Sequence, residues 1–327
     1  MAAVNKNDLY TTEITDYSSE GFGVCRVDGQ ALFVRGAARG DVCEVRVLKA
    51  TKNAAWGKIE ELITPSPHRI ENDCPAFPAC GGCDLRHISY EEELFFKRVR
   101  VEQALRRIGG ADLTVESVIA ADETDGYRNK AVIPIGVRDG EVVTGFYRSR
   151  SHSIVPCPDC RVNAPEINIC AAVTREFLQR FGIGNARHLM VRAVSGGVQT
   201  ALVTGGGKPP RADIWIGMLR ERCPNIGSIL LVENTRNDNV LMAGAITVLW
   251  GGLTVTENLG GMEFELHPFA FAQVNSKQAV RLYDTALEFA APGGAAAADL
   301  YCGTGTLTLW LPQNPRAAPG AGGGWGG

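Results

Sequence analysis

The stretch Cys74 to His87, CPAFPACGGCDLRH, places three cysteines within ten residues as C-x5-C-x2-C, with Gly81 and Gly82 between the last two. The first twenty residues are polar and acidic and lack the apolar core of a secretory signal. In such a chain, dense thiols point to a bound metal or a reactive sulfur, not to disulfides. A second pair, Cys157 and Cys160, follows downstream as C-x2-C. Spacing leaves two solutions open. Cys80 and Cys83 with Cys157 and Cys160 would make a zinc site, leaving Cys74 over. Cys74, Cys80 and Cys83 with one distant cysteine would hold a 4Fe–4S cluster.

Around this cluster the chain changes character. Residues 8–65 carry short β-rich runs at Gly23–Val27, Ala31–Val34 and Val42–Leu48, separated by turn pairs such as Asp28-Gly29. Several strands in so short a span predict a small barrel of the OB type. Phe22 and Phe33, with Arg26, Arg35 and Lys49, form either a stacking and phosphate-binding surface or core residues and solvated charges. From Ser89 the pattern predicts a helix, acidic at its start, basic at its end and stopped by Gly109-Gly110. Hairpin strands follow at 131–137 and 141–147, and residues 162–270 alternate helical and strand patterns. The net charge of −3 supplies no global basic field, so an RNA site must be a local patch. Tyr127-Arg128-Asn129-Lys130 and Tyr147-Arg148-Ser149-Arg150-Ser151-His152 are the candidates, although solvated sheet charge would read the same. No apolar run reaches the length of a membrane span and no secretory signal is visible, so a cytoplasmic protein is expected, and with it a monomer.

Taken in order, these segments resemble the RNA (uracil-5-)-methyltransferases that use S-adenosylmethionine. The motifs are GFGVCRVDG and ALFVRGAARGD in the barrel, CPAFPACGGCDLRH, YRNKA at 127–131, GFYRSRSHSIV at 145–155, FAFAQVN at 269–275 and DLYCGTGTLTL at 299–309. The resemblance implies an α+β multidomain fold. It comprises an OB-like TRAM barrel over 1–65, a central α/β RNA-binding domain over 66–262, and the start of a Rossmann-like S-adenosylmethionine domain over 263–311. Helix 89–110 is expected to pack on the C-terminal domain. By the same resemblance Cys74, Cys80, Cys83 and Cys160 ligate a 4Fe–4S cluster, with zinc as the alternative. Gln273, Tyr301, Gly303 and Thr306 match cofactor-contacting positions. Large-subunit ribosomal RNA is implied over tRNA, because the barrel and the cysteine cluster travel together in those relatives.

The chemistry implied is methyl transfer to carbon 5 of a uridine. In the family an enzyme thiolate adds to carbon 6, carbon 5 takes the methyl group, and a base removes the proton from carbon 5. Cys302 is a loop residue in this scheme. The nucleophilic cysteine, the base and the acid that binds the cofactor ribose are expected beyond residue 311. Residues 312–327, PQNPRAAPGAGGGWGG, are rich in Gly and Pro and unlike the family, so a disordered tail and a truncated, catalytically incompetent chain are expected.

Overall fold

The computed structural model describes residues 4–236, 238, 240–290 and 298–311. The expected tail, 312–327, lies outside the described residues. The described residues form two compact units, those up to 122 with 147–155, and 123–146 with those from 156 on. This division differs from the three expected segments, since residues expected in one central domain contribute to both units.

In the first unit, β1 (Leu9–Glu13), β2 (Asp16–Tyr17), β3 (Gly23–Val27), β4 (Gln30–Arg35), β5 (Val42–Ala50) and β6 (Ala54–Thr64) form one sheet in the order β1-β5-β6-β4-β3-β2. The two edge strands are consecutive in the chain, joined only by Ile14 and Thr15, so the sheet curls round on itself. Thr15 N donates to Val24 O at 2.9 Å and Ile14 N to Asp41 O at 2.8 Å at this seam. Burial alternates along the strands as expected of a sheet with one wet face. Cys25, Val27, Leu32, Val34, Cys43, Val45, Val47 and Ala55 point inward to a common core. Gly57 is required there, because a Cβ would stand 2.4 Å from Val45 Cγ1 and 3.0 Å from Arg46 O.

Helix α1 (Tyr90–Arg107) begins where the sequence predicts. Ser89 accepts the Glu92 N–H as N-cap, and Glu91, Glu92 and Glu93 occupy the first turn. The helix belongs to the barrel's own unit: Phe96 meets Tyr17 edge to face at 5.7 Å, and the buried Glu92 takes a two-pronged bond from Arg39 at 2.9 and 2.8 Å. A bidentate guanidinium–carboxylate pair fixes orientation as well as contact.

Further strands are β7 (Lys130–Arg138), β8 (Glu141–Tyr147), β9 (Ile154–Pro156), β10 (Ala186–Val194), β11 (Gly197–Thr204), β12 (Ile226–Glu233) and β13 (Ala245–Gly251), all in the second unit except residues 147 and 154–155. They form a seven-stranded sheet in the order β13-β12-β11-β10-β7-β8-β9. Only β11 and β12 pair in parallel, and the connection between them carries α3 (Ala212–Arg222). The expected α/β character is thus mostly antiparallel. On one sheet face, α2 (Pro165–Phe181) and α3 enclose a core in which Trp215 lies 6.2 Å from Phe177 and donates to Thr174 Oγ1 at 3.1 Å. A second cluster of Met190, Ala201, Val203, Leu230 and Val232 is covered in part by Phe269.

After the sheet come the hairpin β14 (Val255–Leu259) and β15 (Met262–Leu266), helix α4 (Ser276–Ala290) and the short α5 (Thr306–Trp310). They share a small core around Trp310. Gly260 leaves room for that indole, since a Cβ there would meet it at 2.3 Å. Among the described residues no parallel nucleotide-binding sheet follows Asp299, so the Rossmann-like expectation reaches only the glycine loop and α5.

Candidate cofactor and RNA sites

Residues 267–275, which contain FAFAQVN, run between β15 and α4 without regular structure. Irregular backbone needs hydrogen-bond partners from elsewhere. Here three side chains supply them. Arg192 Nη1 donates to His267 O at 2.9 Å, and its Nη2 donates to Ala270 O at 2.6 Å. Lys130 Nζ donates to Pro268 O and Ala270 O, both at 3.3 Å. Asn129 Nδ2 donates to Gln273 O at 3.0 Å and Ser276 Oγ at 2.8 Å, while its backbone N–H meets Val274 O at 2.7 Å. Burial lowers the Lys130 ammonium to about 8, with Arg192 nearby adding to the effect. Burial also lowers Arg192, to about 10, against the pull of Glu257. The carboxyl of Glu257 is raised by burial.

The segment carries Gln273, exposed, to the start of α4, where Asn275 Oδ1 accepts the Gln278 N–H at 3.0 Å. The glycine loop lies against the same structure. Thr304 Oγ1 donates to Phe271 O at 3.3 Å, and Thr306 Oγ1 is 3.2 Å from Tyr283 Oη on α4. Thr308 Oγ1 holds Asp299 at 2.6 Å, and Trp310 Nε1 holds Asp284 at 2.9 Å. Gly303 and Gly305 adopt φ of 57° and 78°, and a Cβ on either would meet nothing within 4 Å. Open space therefore lies beside this backbone. Tyr301 also has positive φ, 65°, with its side chain 99% exposed. A non-glycine residue held left-handed costs on the order of 1 kcal/mol, a feature common at ligand sites. The structure thus brings Gln273 and the 301–306 loop onto one local framework. Cys302 is half-buried in that loop.

The cysteine loop is an excursion of the first unit. Its base is closed by Ile70 N to His87 O at 3.2 Å, beside an Arg69–Ile88 bridge. Cys74 and Cys80 are buried and Cys83 partly exposed. The Gly82 N–H points at Cys80 Sγ at 3.3 Å, a contact that favours a thiolate. Gly81 N donates to Tyr147 O at 2.9 Å, and a Cβ on Gly81 would lie 2.9 Å from both Tyr147 O and Ser149 N. Gly81 is therefore a condition for the loop's approach to residues 147–149. In the second unit, Cys160 is lowered to about 6, first by a hydrogen bond from Cys157 and then by backbone N–H groups of Val162 and Asn163, with Arg128 contributing. Donor chemistry at Cys80 and Cys160 thus fits a soft metal or an iron–sulfur cluster. Among the described residues, however, no group of three or more His, Cys, Asp or Glu is arranged to hold a metal ion.

The two basic patches part company. Tyr127–Lys130 is not a surface patch, because Asn129 and Lys130 turn to the carbonyls of 267–276. Arg128 is stitched to residues 162–164 through its backbone. Sequence reasoning missed this anchoring role, and it also missed Arg192, whose only sequence signal is a lone charge inside the apolar run of β10. Residues 147–152, by contrast, line a cleft of about 460 Å³ together with Gly81. Tyr147 and His152 meet edge to face at 5.6 Å, and Arg150 pairs with Glu20 at 3.2 Å. Among the described residues no helix is long and apolar enough to cross a membrane.

Comparison with known proteins places this geometry. Residues 5–59 match the family model of the TRAM domain. An uncharacterized RNA methyltransferase of Clostridium tetani is 37% identical over 96% of this chain and 71% of its own length. Another, from Halalkalibacterium halodurans, is 35% identical over 97% of this chain and 72% of its own. Similarity thus runs along nearly all of this chain, which spans a little over two thirds of these relatives. The crystal structure of Pyrococcus abyssi tRNA (uracil-54, C5)-methyltransferase in complex with S-adenosyl-L-homocysteine superposes with a TM-score of 0.75. It is 24% identical and is matched over 95% of this chain and 72% of that one, which shows a shared fold.

Proposed function

The chain belongs to the RNA methyltransferase family, and on that premise we propose that it serves methyl transfer from S-adenosylmethionine to carbon 5 of a uridine, with large-subunit ribosomal RNA as the substrate. The observation that carries this reading is the glycine loop with its exposed, left-handed Tyr301, tied through Thr304 to the anchored segment of Gln273 and through Thr306 to Tyr283 on α4. Gln273, Tyr301, Gly303 and Thr306 would hold the cofactor, which supplies an electrophilic methyl group. The open space at Gly303 suits close approach of a ligand to backbone. No described residue is assigned the part of nucleophile or base. The RNA reading rests on the TRAM match and the cleft at 147–152. It favours ribosomal RNA because barrel and cysteine cluster occur together, and a cytoplasmic monomer is part of the same proposal.

The same proposal assigns Cys74, Cys80, Cys83 and Cys160 to a 4Fe–4S cluster that braces the RNA-binding region, with no part in the transfer. The polarised sulfurs of Cys80 and Cys160 support it. Iron and sulfide analysis of anaerobically purified protein decides it, and stoichiometric zinc in their place overturns it.

Calorimetry with S-adenosylhomocysteine, joined to transfer of labelled methyl from S-adenosylmethionine to unmodified ribosomal and tRNA transcripts, tests the function. Cofactor binding that Tyr301→Ala weakens is the expected result, and any label transferred is expected as 5-methyluridine in ribosomal RNA. A chain that does not bind S-adenosylhomocysteine overturns the cofactor site. Label found in tRNA alone, or on another base, overturns the substrate.

A further inference from the structure

The anchors of the 267–275 segment carry charge that must be answered inside the second unit. Arg192 is 1% exposed, and its Nη2 shares the Ala270 carbonyl with the half-buried Lys130 ammonium. Two cations at one acceptor repel each other, and a buried cation without a counter-charge is strongly destabilising. His267 adds no third charge. Burial, with Arg192 nearby, lowers its imidazole, and its Nδ1 accepts the Phe269 N–H at 3.2 Å, as a neutral ring can. The anion that faces Arg192 is Glu257, on β14.

Glu257 is 4% exposed. Its carboxyl takes hydrogen bonds from Ser276, at the start of α4, and from the backbone of Ser195, between β10 and β11. Ser276 Oγ in turn accepts Asn129 Nδ2 at 2.8 Å, and that same amide donates to Gln273 O at 3.0 Å. Glu257 therefore stands behind both anchors, Arg192 on one side and Asn129 on the other. Among the described residues Glu257 Oε2 and Arg192 Nε have no hydrogen-bond partner. A carboxylate oxygen and a guanidinium N–H, both buried and both unmet, act on each other through space as charges. The low-dielectric surroundings that penalise either charge alone also strengthen their attraction.

We propose that Glu257 is a positioning residue for the cofactor site: its carboxylate is the buried counter-charge that keeps Arg192 on His267 O and Ala270 O and, through Ser276, keeps Asn129 on Gln273 O. This rests on the reading of Gln273 as a cofactor contact and adds what holds that contact in place. Glu257 touches no ligand. It acts by charge on one anchor and by a hydrogen-bond relay on the other, so that Gln273 is presented at the end of a braced segment. Loss of the charge leaves two crowded cations on Ala270 O, and the segment loosens as Arg192 and Lys130 move apart.

The test uses the full chain, with calorimetric affinity for S-adenosylhomocysteine and amide hydrogen exchange over residues 267–275 as readouts. Glu257→Gln keeps the size and the accepted hydrogen bonds and removes the charge. Glu257→Asp keeps the charge and draws it back from Ser276. Glu257→Gln is expected to weaken affinity by about tenfold, within the range for residues that act through a packed network, and to speed exchange over 267–275 with β11 and β12 unchanged. Glu257→Asp is expected to stay closer to wild type in both readouts. The reverse order, with Glu257→Gln within about twofold of wild type, overturns the counter-charge and leaves Glu257 a hydrogen-bonded scaffold. Equal losses in the two variants, with exchange raised throughout the second unit, also overturn it, because that is loss of packing. Should Glu257→Gln fail to fold, Lys130→Met in its background removes one of the two crowded cations. Recovery of a folded chain then supports the proposal, and a double variant that stays unfolded overturns it. Wild type that does not bind S-adenosylhomocysteine overturns the cofactor reading alone. Faster exchange over 267–275 in Glu257→Gln, and not in Glu257→Asp, then still supports the counter-charge.

Discussion

The barrel's outer face, where the rings of Phe33 and Trp56 lie 5.8 Å apart, and the Gln273 segment handle the same problem, exposing functional groups to a ligand, in opposite ways. On the barrel, Phe33 and Trp56 sit on regular strands whose backbone bonds are satisfied by their neighbours, so the side chains owe nothing to distant residues. At 267–275 the backbone has no ladder, and its carbonyls depend on Asn129, Lys130 and Arg192, which lie 75 to 144 residues away for the bonds to His267 and Gln273. Function is therefore separable from stability on the barrel and coupled to it in the segment.

The largest effect expected from this contrast is at Asn129. Asn129→Leu removes a donor to Gln273 O and to Ser276 Oγ, both in part-buried bonds, and each unmet acceptor costs up to about 1–3 kcal/mol. A loss of about 3 kcal/mol in urea unfolding, with S-adenosylhomocysteine affinity falling in parallel, is expected. A variant that loses affinity at full stability would separate what the contrast joins. Next is the barrel interior. Gly57→Ala drives a methyl against Val45 and the Arg46 carbonyl, and overpacking of this kind costs about 1–3 kcal/mol. The expected outcome is a lower melting temperature with S-adenosylhomocysteine binding intact.

Lys130 sharpens the contrast through pH. Its folded value of about 8 lies below lysine's ordinary 10.5, chiefly because of burial. Between those values the unfolded chain binds more protons than the folded one, so stability rises with pH through that window. Below pH 8 the penalty of the buried charge is fully present. Wild type measured against Lys130→Met should gain on the order of 1 kcal/mol from pH 8 to 10.5, after discounting for partial exposure. A flat difference would mean that the ammonium is solvated and does not grip Pro268 and Ala270.

These contrasts also explain what was legible in the sequence. The strands at Gly23–Val27, Ala31–Val34 and Val42–Leu48 announced themselves because alternation and turn pairs are local, and the structure has them as β3, β4 and β5. Ser89 and the three glutamates after it announced α1 for the same reason. What α1 packs against was not legible, since the Arg39–Glu92 pair joins residues 53 apart. Tyr127-Arg128-Asn129-Lys130 reads as a basic patch in one dimension. Only the fold shows Asn129 and Lys130 facing carbonyls more than 130 residues later. Trp56 was missed on the barrel because its strand partner Phe33 lies in β4, two strands earlier in the chain and paired in parallel.

The smallest expected effect is the most discriminating. Phe33 and Trp56 are cross-strand neighbours, and such pairs contribute about 0.2–1 kcal/mol to stability. Phe33→Ala and Trp56→Ala should therefore each lower stability by about 1 kcal/mol or less, with a coupling of a few tenths in the double variant. For RNA affinity the same cycle should give a larger coupling, because adjacent stacked bases are gripped as a unit when both rings are present. Equal coupling in the two measurements would mean that the rings serve each other and not a ligand. A coupling seen in affinity and nearly absent from stability is what a surface kept for binding must show.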